Sequence, residues 1–429
     1  MTRALVLNRS NLDKKPYADW LANLDEVVLF TAASSLSPDP ERRAAQERPF
    51  SRVVAFDEFH ADPSVEWEAL RLHEEQAFDL VVALSEFDLL RAARLRTITG
   101  AAGQSLESAQ AFRDKLVMKT LLNAAGLPLA PFAAIPDATA LYRFARRHGF
   151  PIVVKPRTGG GSVGVEVARS NDELRELVSR IPSLGSDDDA HLLAERYIEH
   201  EPIHVDGLVL DGTKVLSWPS SMGSATCLDY RGQESLASVM LDPADPLRTQ
   251  AVELTDAVLG ALPTPDHFIF HVELFATDGG LVVNEAASRA GGGEIQSAIR
   301  HGFGADMAES LVRRLAGEDP STRFVHLPMR LAGWVVVYPQ RGKLLSAPET
   351  CGLDGVTHYK LHAAIGAELE PAADSVDALA SAVVVADNRS GAERTIEEFL
   401  DWFGRHVRVK EETPSARAPL PVTFGPGAP

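Results

Sequence analysis

Positive charge is scarce in this chain, cysteine scarcer, and no apolar run is long. Its 429 residues carry 42 Lys and Arg against 60 Asp and Glu, a formal net charge of −18. That balance excludes a general binder of nucleic acid or anionic membrane, because the cationic excess that releases counterions is missing. A local basic pocket for an anionic ligand stays compatible with it. Cys227 and Cys351 are the only cysteines. Without CxxC spacing they exclude a disulfide scaffold and a cysteine-rich zinc site, and they read as free thiols in a reducing compartment. No stretch approaches the roughly 18 apolar residues of a membrane span. The apolar opening, Ala4 to Leu7, is too short for a secretory h-region. A cytoplasmic protein is expected. What is plentiful is ordinary core material: hydrophobic residues make up 45% of the chain. The length suggests about three domains.

Residues 1–108 alternate short apolar runs with helical patterns. ALVLN (4–8), EVVLFTA (26–32), RVVAF (52–56) and DLVVAL (79–84) read as strands, with a helix over 64–77 before the last. Such alternation predicts a parallel α/β sheet covered by helices. A single helix is predicted from about 106 to 125, closed by Gly126 and Pro128. A second unit, 109–198, follows: a helix over 137–148, strand PIVVK, a glycine-rich turn, strand VEVAR, a helix capped by Asn171, and strand LLAERYI. GSDDDAH (185–191) reads as solvated surface. Residues 199–320 read mostly as strands with polar turns, then a helix from Glu294; residues 321–410 form a further mixed unit. The proline-rich tail, 411–429, is expected to be disordered.

Gly159, Gly160, Gly161, Ser162, Val163 and Gly164 formally satisfy G-x-G-x-x-G. A dinucleotide site needs the last glycine to open a helix, and here Val165-Glu166-Val167 continues as a strand. A P-loop needs Gly-Lys-Ser/Thr at its end, which is missing. What remains is a glycine-rich hairpin turn whose bare N–H groups can wrap phosphates. Lys155 ends the strand before it, between Pro151 and Pro156, where a β-branched residue would be the usual choice. Lys115 lies forty residues upstream. Two lysines and the hairpin make a reasonable triphosphate clamp; a loop beside a surface lysine is the plainer alternative.

Glu273 and Glu285 end adjacent apolar strands joined by the turn Thr277-Asp278-Gly279-Gly280. The strands should pair antiparallel and set both carboxylates on one face. Such a pair repels itself unless partnered, and a divalent cation such as Mg²⁺ resolves the repulsion. Two exposed strand-end glutamates are the alternative. His271-Val-Glu273 has the H-x-E form of zinc deaminases but lacks the following Pro-Cys-x-x-Cys. Arg289 adds a planar donor fork. Gly291, Gly292 and Gly293 lead into a helix, a natural anion site, or simply a loop needing positive φ.

Together these segments resemble the ATP-grasp superfamily, and more narrowly its carboxylate–amine ligases, over about residues 79–320. FRDKLVMKTLLNAAGLP, FPIVVKPRTGGGSVGV, LLAERYIEHEPIHVDG, and HVE with NEAASRAGGG occur in the family's order. The resemblance implies a Rossmann-like α/β unit, then an ATP-grasp fold of two α+β subdomains (109–198 and 199–320) with ATP between them, and a C-terminal mixed extension. It implies that Lys115, Lys155 and Gly159–Gly164 touch ATP phosphates. It sets Glu195, Arg196 and Ile198 near adenine, and Glu201 or His204 near the ribose. Glu273 and Glu285 would hold one or two Mg²⁺, with Mn²⁺ able to substitute. Arg289 would be catalytic at the reacting phosphate, and with Gly291–Gly293 would meet the substrate carboxylate. The chain departs from the pattern at Ala287, where many relatives carry a metal-binding asparagine, and at Pro202, where some place a ribose glutamate.

The expected function is an ATP-dependent ligase joining an amino acid or small carboxylate to an amine through an acyl phosphate, releasing ADP and phosphate. A bicarbonate-using carboxylating enzyme and a non-catalytic ATP-binding protein are the rivals. Partners are expected to be small molecules, with a homodimer compatible and nucleic acid and membrane excluded. The polar segment 219–238 is read as acceptor-site lining or plain surface loop.

Overall fold

The computed structural model describes residues 2–181, 184, 191–223, 235–320, 324–372, 375 and 377–411. Residues 412–429 of the proline-rich tail, the acidic loop 185–190, Cys227 and residues 224–234 of the suspected acceptor segment lie outside them, whereas Glu411, expected to begin the tail, closes the strand Arg408–Glu411. Cys351 is a free thiol.

The four N-terminal runs form strands Arg3–Asn8, Glu26–Ala32, Arg52–Phe56 and Leu80–Ala83. They pair in parallel, in the order third, second, first, fourth. The first strand is buried along its whole length, as a strand covered on both faces must be. Leu5, Leu7, Val28 and Phe30 pack with Phe59, Val65 and Leu72 on one side. Ala4, Val6 and Leu29 join a second core that also contains Ile269, Ile299 and Trp334. That shared core fixes the sheet to the rest of the molecule.

The helix expected over 106–125 is two helices, Leu106–Arg113 and Lys115–Ala124. Asp114 between them is extended, and its carboxylate accepts from the Leu116 and Val117 amides. An N-cap aspartate inside an apolar-periodic run thus restarts the helix, and it sets Lys115 in the first helical position.

A four-stranded antiparallel sheet follows, in the order Phe132–Ile135, Leu192–Arg196, Ile152–Pro156, Glu166–Ala168. Helices Ala138–His148 and Asn171–Ser179 bury Leu141, Phe144, Leu174 and Leu177 against it. Ser170 caps the second of these helices, not Asn171: Ser170 has extended backbone and its side chain accepts from the Glu173 amide, while Asn171 is already helical.

The largest sheet has eight strands, in the order Gly280–Ala287, Phe268–Thr277, Glu201–Leu210, Thr213–Ser221, Ser235–Met240, Leu331–Val337, Ala380–Ala386, Val356–Leu361. Every neighbouring pair is antiparallel. Strands from both sides of residue 320 therefore share one sheet. A helix, Pro246–Ala261, occupies a stretch read as strands and turns; Asp245 caps it, Pro246 opens it, and Ala251 and Val258 bury its inner face. Among the described residues no helix is long and apolar enough to cross a membrane.

Candidate functional site

The antiparallel register places Glu273 directly opposite Glu285. Immediately beyond, Leu274 pairs with Val283, leaving Asn284 as an extra residue in its strand. Such a bulge turns consecutive side chains toward one side, which brings Asn284 into the site beside Glu285. Its Nδ2 donates to Glu273 Oε2 at 2.8 Å, and its Oδ1 accepts from Lys155 Nζ at 3.4 Å. Sequence reading overlooked Asn284. Its only trace was an amide in the otherwise apolar run LVVNEAA.

Three lysines meet Glu285 and a third carboxylate, Glu195. Lys115 Nζ lies 2.9 Å from Glu285 Oε1. Lys119, one turn along the same helix and also overlooked, is fully buried and lies 3.0 Å from Glu195 Oε1. Lys155 lies 3.1 Å from Glu195 Oε2. Glu195 is thus wedged between two ammonium groups. Burial works against its charge, and the two lysines outweigh burial and hold its carboxyl below the usual range. For Lys119 burial prevails and pushes the ammonium down. For Lys155 the attraction of Glu195 and Glu285 prevails over burial and pushes it up.

The glycine-rich turn joins the paired strands that end at Pro156 and begin at Glu166. Gly161, Ser162 and Gly164 have positive φ, at 62°, 60° and 72°. The turn folds over the site: Lys115 Nζ donates to the Gly159 carbonyl at 3.1 Å, and Arg113 Nη2 to the Thr158 carbonyl at 3.1 Å. The Gly161 carbonyl accepts from the Ser375 amide at 3.3 Å.

Arg289 extends from the end of the Gly280–Ala287 strand to Glu86, which also receives Arg113. Burial would raise the Glu86 carboxyl, but Arg289 and Arg113 outweigh it and hold it at about 2. Gly291 lies against His271: a β-carbon there would sit 2.5 Å from Ile295 Cδ1 and 2.8 Å from His271 Nδ1. Gly293 has φ +60°. The glycine run serves close approach at one position and backbone conformation at another, with the helix Ile295–Phe303 following.

Beneath the carboxylates lies a buried chain of polar groups. His271 Nε2 donates to Glu273 Oε1 at 3.3 Å, and its Nδ1 donates to Asp206 Oδ1 at 2.9 Å. Asp206 Oδ2 accepts from His204 Nδ1 at 2.5 Å, and His204 Nε2 meets Ser238 Oγ at 2.7 Å. Burial lowers His271, Asp206 more than offsets it, and the imidazole is pushed up to about 9. His204, Asp206 and His271 offer ligand atoms close enough for a metal, but these hydrogen bonds already occupy both nitrogens of each ring.

The remaining expected residues have other surroundings. Arg196 turns to the His148 carbonyl, Ile198 offers its carbonyl to His200 Nδ1 at 2.6 Å, and Glu201 is exposed at a strand start. Ala287 is buried opposite His271 and brings no ligand atom.

Residues 120–292 match the ATP-grasp domain family. An L-arginine-specific L-amino acid ligase of Bacillus subtilis is 31% identical over 248 residues, 57% of this chain and 59% of its own. A D-alanine–D-alanine ligase of Bacillus velezensis is 26% identical over 200 residues, 44% of this chain and 55% of its own. The chain therefore spans less than two thirds of either relative. The solved L-amino acid ligase of Bacillus licheniformis superposes with a TM-score of 0.74, covering 96% of this chain and 99% of that one at 17% identity. The biotin carboxylase domain of a Hydrogenobacter thermophilus 2-oxoglutarate carboxylase, solved with MgADP, gives 0.66 over 95% and 91% at 18% identity. At such identities these likenesses speak to the fold. The chain carries an ATP-grasp domain, set in the fold shared with the solved L-amino acid ligase.

Proposed function

We propose that the protein is an ATP-dependent carboxylate–amine ligase that joins an amino acid or small peptide to an amine, with an acyl phosphate between and ADP and phosphate as products. The observation carrying this reading is the register that opposes Glu273 and Glu285, with Lys115 paired to Glu285, Lys155 donating to the adjacent Asn284, and Lys155 and Arg289 both drawn by the two carboxylates. The relatives' names place carboxylate–amine joining among the activities of similar chains.

Glu273 and Glu285 fit Mg²⁺: they are hard oxygen donors, directly opposed and partly open, with side chains 36% and 22% exposed. When bound, Mg²⁺ supplies charge neutralisation to the triphosphate. Asn284 and His271 orient Glu273 from two sides, a role outside the expected ligand set. Lys155 and Lys115 hold phosphate oxygens, and the glycine turn closes over them and excludes water from the acyl phosphate. Arg289 neutralises charge on the transferred phosphoryl group and the attacking carboxylate. For that it exchanges Glu86 for the substrate. Glu195, between Lys119 and Lys155, holds the second lysine in place, so its part in adenine binding rests on its backbone rather than its carboxylate.

Phosphate release measured over pairs of L-amino acids, with mass spectrometry of the products, tests the reading. Dipeptide mass with stoichiometric ADP is the expected result. AMP as the main nucleotide product, or turnover requiring bicarbonate, overturns it.

A further inference from the structure

We propose that the cavity at the carboxyl edge of the N-terminal sheet holds the amine-bearing substrate, and that Lys15 binds a carboxylate of that substrate which does not react. The acceptor is then itself an amino acid rather than a simple amine. This rests on the ligase reading and specifies its second substrate.

In an open parallel sheet, ligands bind outside the carboxyl ends of the strands where strand order reverses. Here that point lies between Arg3–Asn8 and Leu80–Ala83, the first and fourth strands, which are neighbours in the sheet. A cavity of about 220 Å³ lies there, lined by Arg9, Ser10 and Lys15 after one strand, Ser85 and Glu86 after the other, and Arg289. At about 30 Å³ per water, that is room for roughly seven water-sized groups, the scale of one small amino acid.

The charges in the cavity are not equally engaged. Arg9 is held two ways by buried Asp88, at 2.6 and 2.8 Å. Glu86 is taken by Arg113 and Arg289. Lys15 differs. Its Nζ donates to the side-chain oxygen of Gln296 at 3.3 Å and lies 5.9 Å from the centre of the Trp20 ring, and among the described residues no ion pair within 4 Å includes it. Burial pushes its ammonium down, against the attraction of the more distant Asp306. An ammonium half-withdrawn from water without a counter-ion is stabilised by an arriving anion. Arg289, on the same cavity, serves the reacting carboxylate in the proposed mechanism. A ligase acting on two amino acids must hold two carboxylates, one that reacts and one that does not, and Lys15 supplies the second position.

Calorimetric binding of small L-amino acids and of their C-terminal amides, in the presence of Mg-ADP, tests this on the full chain, alongside steady-state kinetics with the same compounds as acceptors. The wild type should bind the acids at least about tenfold more tightly than the amides. Lys15→Met should remove that preference and raise the acceptor KM by a similar factor, with donor KM unchanged, and Lys15→Arg should restore much of it. Retention of the acid preference in Lys15→Met, or equal binding of acids and amides by the wild type, overturns the proposal even if dipeptides form. Lys15-dependent affinity for dicarboxylic donors in place of acceptor amino acids also overturns it, because the second carboxylate then belongs to the donor. Carboxylate-selective binding lost in Lys15→Met without any ligase turnover would instead leave the Lys15 site standing and remove the ligase reading.

Discussion

Arg289 donates from Nε to Oε2 of Glu86, a residue 203 positions earlier in the chain. Arg113 takes the other oxygen and also donates to the Thr158 carbonyl at the root of the glycine turn. One carboxylate thus ties together the edge of the N-terminal sheet, the glycine-rich turn and the arginine proposed to act at the reacting phosphate.

The acid side of the stability profile should report this tie. A carboxyl held at about 2 instead of its ordinary 4.5 contributes stability that is complete above 4.5 and is lost as the pH falls toward 2. The shift corresponds to about 3 kcal/mol as an order of magnitude. The wild type should exceed Glu86→Gln in urea midpoint at pH 7, and the gap should close between pH 4.5 and 2. A gap independent of pH would show that the carboxylate charge adds nothing.

Glu195 carries a different expectation, because its removal leaves two buried ammonium groups facing one another. Breaking a buried ion pair from one side costs about 3–5 kcal/mol. Glu195→Ala should therefore lower the urea midpoint far more than Lys155→Ala, which leaves Glu195 paired with Lys119. Lys155→Ala should instead weaken ATP binding, by about tenfold or more, in calorimetry.

At the carboxylate pair, Glu285→Gln keeps size and hydrogen bonding and removes one charge. Turnover should drop by at least about a hundredfold, since charge stabilisation at a phosphoryl site contributes several kcal/mol to the barrier, while the chain still folds with a thermal midpoint lowered by the loss of the Lys115 ion pair. A fully active variant would sink the metal role. Substituting Mn²⁺ for Mg²⁺ should retain activity, as expected of an oxygen-donor site.

Gly291→Ala tests the packing under the site. The added methyl meets Ile295 Cδ1 and His271 Nδ1 at distances no β-carbon tolerates, so about 1–3 kcal/mol of destabilisation is expected. Gly279→Ala, in an open turn with its nearest contact at 3.7 Å, should be near neutral by the same thermal measurement.

Much of this arrangement was legible in the residues because it is local. The four apolar runs of the N-terminal unit read as short parallel strands and pair as such, with the edge run RVVAF only partly covered. The turn at 277–280 marks the hairpin that brings Glu273 and Glu285 onto neighbouring strands, but counting from it pairs Glu273 with Asn284, and only the bulge at Asn284 sets Glu285 opposite Glu273. Three things were not legible. Asp114 looks like one more polar residue on a helix until its backbone is seen to be extended. Asn284 enters the site only through a bulge, which has no mark in sequence spacing. Lys119 and Glu86 act through partners 76 and 203 residues away, Glu195 and Arg289, and no local pattern encodes such distances.

The eight-stranded sheet has a consequence for how the chain divides. Ser235–Met240 hydrogen-bonds along its length to Leu331–Val337, so a cut near residue 320 severs no domain linker and strips each piece of a sheet edge the other supplies. Neither piece should fold alone. Expressed together, the two should recognise each other through that exposed edge and reassemble, as the halves of a split reporter do, with ATP binding restored only in the mixture.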